Sequence, residues 1–171
     1  MIKAQGLALR FFYGETGMEY NAIVAAPFGP LGVACEAGAV TRFEFLPQGT
    51  APRPSAPGSL AWEAARQVQA YCADPAFVFD LPYRLQGTPH QLRVWEQIAA
   101  IPLGEVLRYQ DIAVRLASSA RAVGGACGRN PLPLIIPCHR VVASGGLGGF
   151  NQSTGDETLN IKRWLLRHER G

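Results

Sequence analysis

Nowhere in this 171-residue chain does an apolar run reach the roughly 20 residues that a membrane-spanning helix needs. Its first segment lacks the basic start, apolar stretch and small-residue cleavage site of a secretory signal. No internal repeat is present. The four cysteines, Cys35, Cys72, Cys127 and Cys138, form no C-x-x-C pair and no metal-type spacing with the three histidines, His90, His139 and His168. A disulfide framework is not expected in so long a chain without secretion signals. Together these absences predict a cytoplasmic protein with reduced thiols, no membrane partner, no bound metal and no cofactor. Charge is sparse as well. Asp, Glu, Lys and Arg make up 17% of the residues, and a net charge of +3 is too small by itself to mark a nucleic-acid binder.

What the chain does have is apolar mass, 48% of its residues, ample for a core in one large domain or two small ones packed together. The first half reads as β structure followed by a helix. Residues 20–27, 31–36 and 39–46 are short apolar or alternating runs, separated by Phe28-Gly29-Pro30 and Ala37-Gly38. Residues 47–59, rich in Pro, Gly, Ser and Ala, read as an exposed connector. The spacing of Leu60, Ala64, Val68 and Tyr71 predicts a helix over 60–72, ending near Asp74-Pro75, and 77–81 reads as one more strand.

From Thr88 the character changes. Thr88-Pro89 is an N-cap with proline at the first helical position, opening a helix whose Leu92, Trp95 and Ile98 share a face. A second short helix covers 109–116, and a turn at 117–120 leads into a third, which gives a helix-turn-helix pattern. Residues 132–137 read as extended, Val141-Val142 as strand, and 159–169 as a closing amphipathic helix with Leu159, Trp164, Leu165 and Leu166. The expected fold is mixed α/β (α+β). A sheet-and-helix unit, 1–87, packs on a helical unit, 88–171, that carries the helix-turn-helix.

Two segments carry candidate chemistry. In Pro137-Cys138-His139-Arg140-Val141 a thiol stands beside a base, one route to a nucleophilic thiolate. Adjacent strand residues point to opposite faces, so the pair works together only if the backbone turns, and Pro137 favours a turn. On the dipeptide alone an inert, buried cysteine is the better reading. Upstream, residues 121–131 form a helix of small residues led by Arg121 and stopped at Gly128-Arg129-Asn130-Pro131. Glycines inside a helix cost about 1 kcal/mol each relative to Ala. Gly124 and Gly125 therefore point to a bare surface, needed either for tight packing against another helix or for close approach of a phosphate backbone. Between residues 106 and 155, Arg108, Arg115, Arg121, Arg129 and Arg140 stand against Asp111 alone, so this segment is more positive than the whole chain. A basic bias confined to the region of the odd glycines and the thiol favours a polyanion nearby.

Taken in order, these motifs resemble the O6-alkylguanine-DNA alkyltransferases, suicide DNA-repair proteins. Pro137-Cys138-His139-Arg140-Val141 is similar to their active-site signature, and Arg121-Ala122-Val123-Gly124-Gly125-Ala126 with Asn130-Pro131 to their recognition helix and asparagine hinge. Val94-Trp95, Ile101-Pro102, Gly104, Tyr109-Gln110 and Ile112-Ala113 match the segment before it, and Lys162, Trp164-Leu165-Leu166 and Glu169 the closing helix. The likeness is close over 88–171 and general before it.

The resemblance implies irreversible transfer of an alkyl group from O6-alkylguanine, and from O4-alkylthymine, in double-stranded DNA to Cys138, once per molecule. It implies that Glu169 orients His139, that His139 acts through a water on Cys138, and that Asn130 braces the turn. It also implies that Tyr109 helps turn the nucleotide out, and that Arg121 fills the vacated stack. Gly124 and Gly125 would let the helix enter the minor groove. Gln110 and Ser144 match DNA-touching positions, and Val141, Phe150 and Asn151 pocket positions. The carbonyls of Cys138 and Val141 would receive the guanine amino group. The protein is expected to be a monomer, with a Cys138 thiol that ionises more readily than a free cysteine.

The chain departs from the family pattern in three places. His90 replaces an aromatic and is expected to be exposed, Phe150 stands where Tyr is common, and 151–160 is longer and more polar than the usual link. Two rival readings have distinct signatures. Lesion binders without repair activity lack the active-site cysteine, whereas a thiol hydrolase built on Cys138, His139 and Glu169 would turn over and would not need the arginine-led glycine helix.

Overall fold

The structure, a computed structural model, describes Phe12–Tyr13 and residues 19–171. Strand β1 (Phe12–Tyr13) pairs antiparallel with β2 (Glu19–Tyr20). Strands β3 (Ala22–Val24), β4 (Leu31–Glu36) and β5 (Ala39–Phe45) form an antiparallel sheet in that order. Ala34 faces Arg42 and Cys35 faces Val40, which leaves Thr41 as the extra residue of a bulge. That extra residue lets Val40 and Phe43, three apart, both turn into the core.

Helix α1 (Leu60–Ala73) begins where the Ser59 hydroxyl accepts from the Trp62 N–H, and it buries Ala61, Ala64, Val68 and Tyr71. The connector before it contains no helix or strand, as its composition predicts, and touches the sheet through an Ile23–Arg53 bridge. Residues 77–81 are not a strand. The Gln67 amide clamps Asp80 at both backbone groups, and the chain pairs with the sheet beyond this segment, at a parallel Val40–Tyr83 bridge. A side chain thus satisfies polar groups that a ladder would otherwise pair.

Helix α2 (Pro89–Ala99) opens with the expected cap, completed by Gln91 as a reciprocal capping box. Its buried face is Val94, Trp95 and Ile98, while Leu92 stays 41% exposed, so the predicted stripe is rotated. His90 is half-buried, with Nε2 at 2.8 Å from the Ser118 hydroxyl, and is not the exposed residue expected. Strand β6 (Leu107–Arg108) leads into α3 (Tyr109–Arg115) and α4 (Ala120–Gly128), joined by a turn with Ala117 at φ +50°. The Trp95 indole donates to the Ala126 carbonyl at 2.8 Å and ties α2 to α4. The helix-turn-helix is therefore present.

Residues 132–137 are not extended. Leu134 takes φ +75° and Ile136 N–H donates to Leu132 O at 2.8 Å, so the apolar run is coiled into turns. Strand β7 (Val141–Val142) pairs parallel with β6. Helix α5 (Asp156–Arg170) starts inside the polar stretch, so 156–160 belongs to the helix and only a short link precedes it. One apolar core holds Val33, Phe43, Val68 and Tyr71 together with Trp95, Ile112, Val123 and Leu165. The fold is mixed α/β, its sheet-and-helix half packed on the helix-turn-helix half. Among the described residues no helix is long and apolar enough to cross a membrane.

Candidate active site

Pro137 makes the turn that a working Cys–His pair requires. At φ −79° and ψ 67° it forms an inverse γ-turn, in which the Cys138 N–H donates to Ile136 O at 2.8 Å. The chain then coils as a 3-10 helix over Cys138–Arg140. Asn130 holds this loop from behind. Its Nδ2 donates to Ile136 O at 2.7 Å and its Oδ1 accepts from the Leu132 N–H at 2.9 Å. One side chain thereby satisfies two groups of a buried loop that has no ladder of its own.

Cys138, 6% exposed, lines a cleft of about 670 Å³. Tyr109, Arg121, Gly124, Gly125, Phe150 and Asn151 line the same cleft, so seven of the sequence-predicted residues meet there. The glycines resolve the choice left open by the sequence. A Cβ on Gly125 would meet nothing within 4 Å, and one on Gly124 only Tyr109 Cδ1 at 4.0 Å. Neither serves tight packing against another helix; the bare surface faces outward. Phe150-Asn151-Gln152-Ser153 forms a tight turn over the rim, with φ +49° at Asn151 and +61° at Gln152 and two Phe150–Ser153 backbone bonds.

Behind the thiol lies a buried polar chain. His139 Nε2 sits 2.8 Å from Glu169 Oε1. The same carboxylate takes Arg140 Nε at 2.8 Å, Arg140 Nη2 at 2.9 Å and the Tyr71 hydroxyl at 2.8 Å. Burial alone would push the Glu169 carboxyl up, but donation from His139 and Arg140 outweighs it and holds the pKa at about 2. An ionised carboxylate can only accept, so Nε2 carries the imidazole proton and Nδ1 presents the lone pair. Nδ1 is buried without a protein hydrogen-bond partner. Burial lowers the His139 pKa, opposed by Glu169, which keeps the ring a neutral base.

The thiol differs from expectation. Burial raises the Cys138 pKa, with the Asn130 side chain and the Lys162 ammonium pulling the other way, so the resting group is a thiol. Lys162 is fully buried, and its Nζ donates to the carbonyls of Val141, Leu147 and Gly149 at 2.8, 2.6 and 3.0 Å. Burial lowers its pKa to about 8. No role was assigned to it from sequence, although a lysine between Ile161 and Leu165 on an apolar helix face was a visible signal. The Val141 carbonyl, expected to accept from the guanine amino group, already accepts from Lys162, and Val141 is buried outside the cleft lining. Gln110 and Ser144 are exposed but lie outside the cleft. Arg140 leaves the basic surface for Glu169 and Ile101 O, and Arg108 pairs with Asp111, so Arg121 and Arg129 are the cleft's arginines. Cys127, also unassigned, lines the cleft beside them. Among the described residues no three His, Cys, Asp or Glu side chains group as a metal site.

A family model described as "6-O-methylguanine DNA methyltransferase, DNA binding domain" matches residues 89–171. The constitutive methylated-DNA–protein-cysteine methyltransferase of Bacillus subtilis is 38% identical over 166 residues, 90% of this chain and 96% of its own. The chain belongs to the methylated-DNA–protein-cysteine methyltransferases. A Mycobacterium bovis member is 38% identical over 86% of this chain and 90% of its own length. The crystal structure of Mycobacterium tuberculosis OGT in complex with DNA superposes with a TM-score of 0.72 at 36% identity, covering 86% of this chain and 91% of that one. As a member of this methyltransferase family the protein is a DNA-repair enzyme, and DNA is its partner.

Proposed function

We propose that the protein repairs O6-alkylguanine, and O4-alkylthymine, in double-stranded DNA by moving the alkyl group irreversibly to Cys138, one group per molecule. The carrying observation is that the Cys138 thiol lines the same cleft as Arg121, Gly124 and Gly125, with a neutral imidazole behind it. The sulfur–carbon bond forms as the carbon–O6 bond breaks. The thiol proton leaves through a water to His139 Nδ1 and is returned to guanine. Glu169 orients the imidazole, and Asn130 keeps the thiol aimed. Tyr109, whose hydroxyl burial holds protonated, turns from the Gly149 carbonyl 3.2 Å away to donate to the departing guanine.

On this reading the helix Ala120–Gly128 enters the minor groove on its glycine face, Arg121 occupies the stack left by the flipped nucleotide, and Gln110 and Ser144 touch the flanking DNA. Phe150 and Asn151 wall the alkyl pocket. The unit 88–171 carries binding and chemistry, the unit 1–87 supports it, and the protein works as a monomer. Its four free cysteines suit the reducing cytoplasm.

The test is to mix the protein with an O6-methylguanine oligonucleotide and weigh the intact chain. The expected product has one methyl in place of one hydrogen, mapped to Cys138. Product in excess of protein, or turnover of an ester, overturns the reading.

A further inference from the structure

The relay is not built from the C-terminal half alone. Tyr71, on α1, reaches 98 residues along the chain to donate its hydroxyl to Glu169 Oε1 at 2.8 Å. That oxygen also meets His139 Nε2 and Arg140 Nη2. A carboxylate held by only two neighbours in the plane can still rock about its side-chain bonds; a third donor from a separate element fixes it. Tyr71 is itself anchored. Its carbonyl lies 2.7 Å from His168 Nε2, which must donate because a carbonyl only accepts. Its ring packs edge-on to the His168 ring at 5.2 Å and against Phe79 at 5.7 Å. Tyr71 is buried, 3% exposed, and its hydroxyl donates to Glu169.

We propose that Tyr71 is a positioning residue for alkyl transfer, through which the N-terminal half fixes Glu169 and sets the basicity of His139. The inference rests on the reading that Glu169 orients His139. Burial holds the Tyr71 hydroxyl protonated, so it is a permanent donor. The charged and titratable groups facing this pair are Arg140 on the 3-10 helix, Lys162 and His168 on α5, Cys138 beside His139, and Cys72 beside Tyr71. Arg140 already donates to Oε1 through Nη2, and none of the others makes a hydrogen bond to that oxygen. Removing the Tyr71 hydroxyl returns negative charge to the oxygen facing His139, which makes the imidazole easier to protonate. It also loosens the carboxylate, and misplacement of a catalytic group costs rate steeply.

The experiment compares Tyr71→Phe, which keeps the ring, with the parent and with Glu169→Gln, using single-turnover transfer from an O6-methylguanine oligonucleotide across pH. Tyr71→Phe is expected to slow transfer about tenfold, as loss of a group that orients a catalytic ligand does. It should also move the acid limb of the rate profile to higher pH, with DNA affinity unchanged. Glu169→Gln is expected to slow transfer and move the limb the opposite way. If Glu169→Gln is slow while Tyr71→Phe keeps the parent's rate and limb, the Tyr71 inference fails and the relay stands. If Tyr71→Phe slows transfer with an unmoved limb, Tyr71 is only packing and the inference also fails. If Glu169→Gln matches the parent, the relay reading itself fails.

Discussion

At the scale of single residues, the site keeps its nucleophile neutral until a base removes the proton. Burial raises the pKa of Cys138 and lowers that of His139, so the resting pair is a thiol and a neutral imidazole. Since His139 must be neutral to accept a proton, and its pKa lies below the ordinary 6.5, transfer should hold its rate down through neutral pH. It should fall only once the ring protonates in more acid solution. A rate that climbs steadily from neutral toward the pKa of a free thiol would mean that the thiolate forms without help from His139. Cys138→Ser should bind O6-methylguanine DNA with parental affinity and transfer nothing, which gel shift and intact mass together check. The dipeptide at 138–139 was legible because its members adjoin and Pro137 announces the turn. Tyr71 was not, since nothing local marks a helical tyrosine as the partner of a carboxylate 98 residues away. Lys162 was half-legible, a charge on an apolar stripe whose hydrogen-bond partners are backbone carbonyls of residues 141–149, which side-chain spacing does not reveal.

At the scale of elements, strands 31–36 and 39–45 and all of the principal helices could be read from spacing and caps, because the helices satisfy their polar groups internally and the two strands pair with each other across a short turn. Residues 77–81 and 132–137 could not. Their backbone is paired by the side chains of Gln67 and Asn130, which periodicity does not see. The helix Ala120–Gly128 shows where function and stability part. Since a Cβ at Gly125 meets nothing within 4 Å, Gly125→Ala should stabilise the free protein by about 0.5–1 kcal/mol through helix propensity. If the bare face receives DNA, the same substitution should weaken duplex binding. A rise in melting temperature with unchanged DNA affinity would remove Gly125 from the interface. Arg121→Ala should slow repair of duplex DNA far more than transfer from free O6-benzylguanine, because unstacking costs a few kcal/mol and a free base needs none of it. Arg121→Lys restores the charge but not the planar group, so it should recover affinity better than duplex rate. Equal slowing on both substrates would make Arg121 a support of the pocket.

At the scale of the whole molecule, Glu169 is where three parts of the chain converge: Tyr71 from the sheet-bearing half, His139 and Arg140 from the active-site turn, and its own closing helix. The core is continuous across the same junction. The two halves should therefore unfold together, and acid should act on both through this carboxylate. The Glu169 pKa falls from 4.5 to about 2 on folding, because the bonds from His139 and Arg140 outweigh the effect of burial. The unfolded chain consequently binds this proton first as pH drops. The stability contributed by Glu169 is complete above about pH 4.5 and is lost progressively as pH falls to about 2. Glu169→Gln removes the group that titrates. At neutral pH it should be less stable than the parent, since it leaves the half-buried Arg140 guanidinium without its counter-charge. Between pH 4.5 and 2, however, its stability should decline less steeply, so the gap between the two proteins narrows with acid. Denaturant titrations at several pH values measure this directly. Parallel curves for parent and Glu169→Gln across that window would show that the carboxylate does not carry the charge that joins the halves.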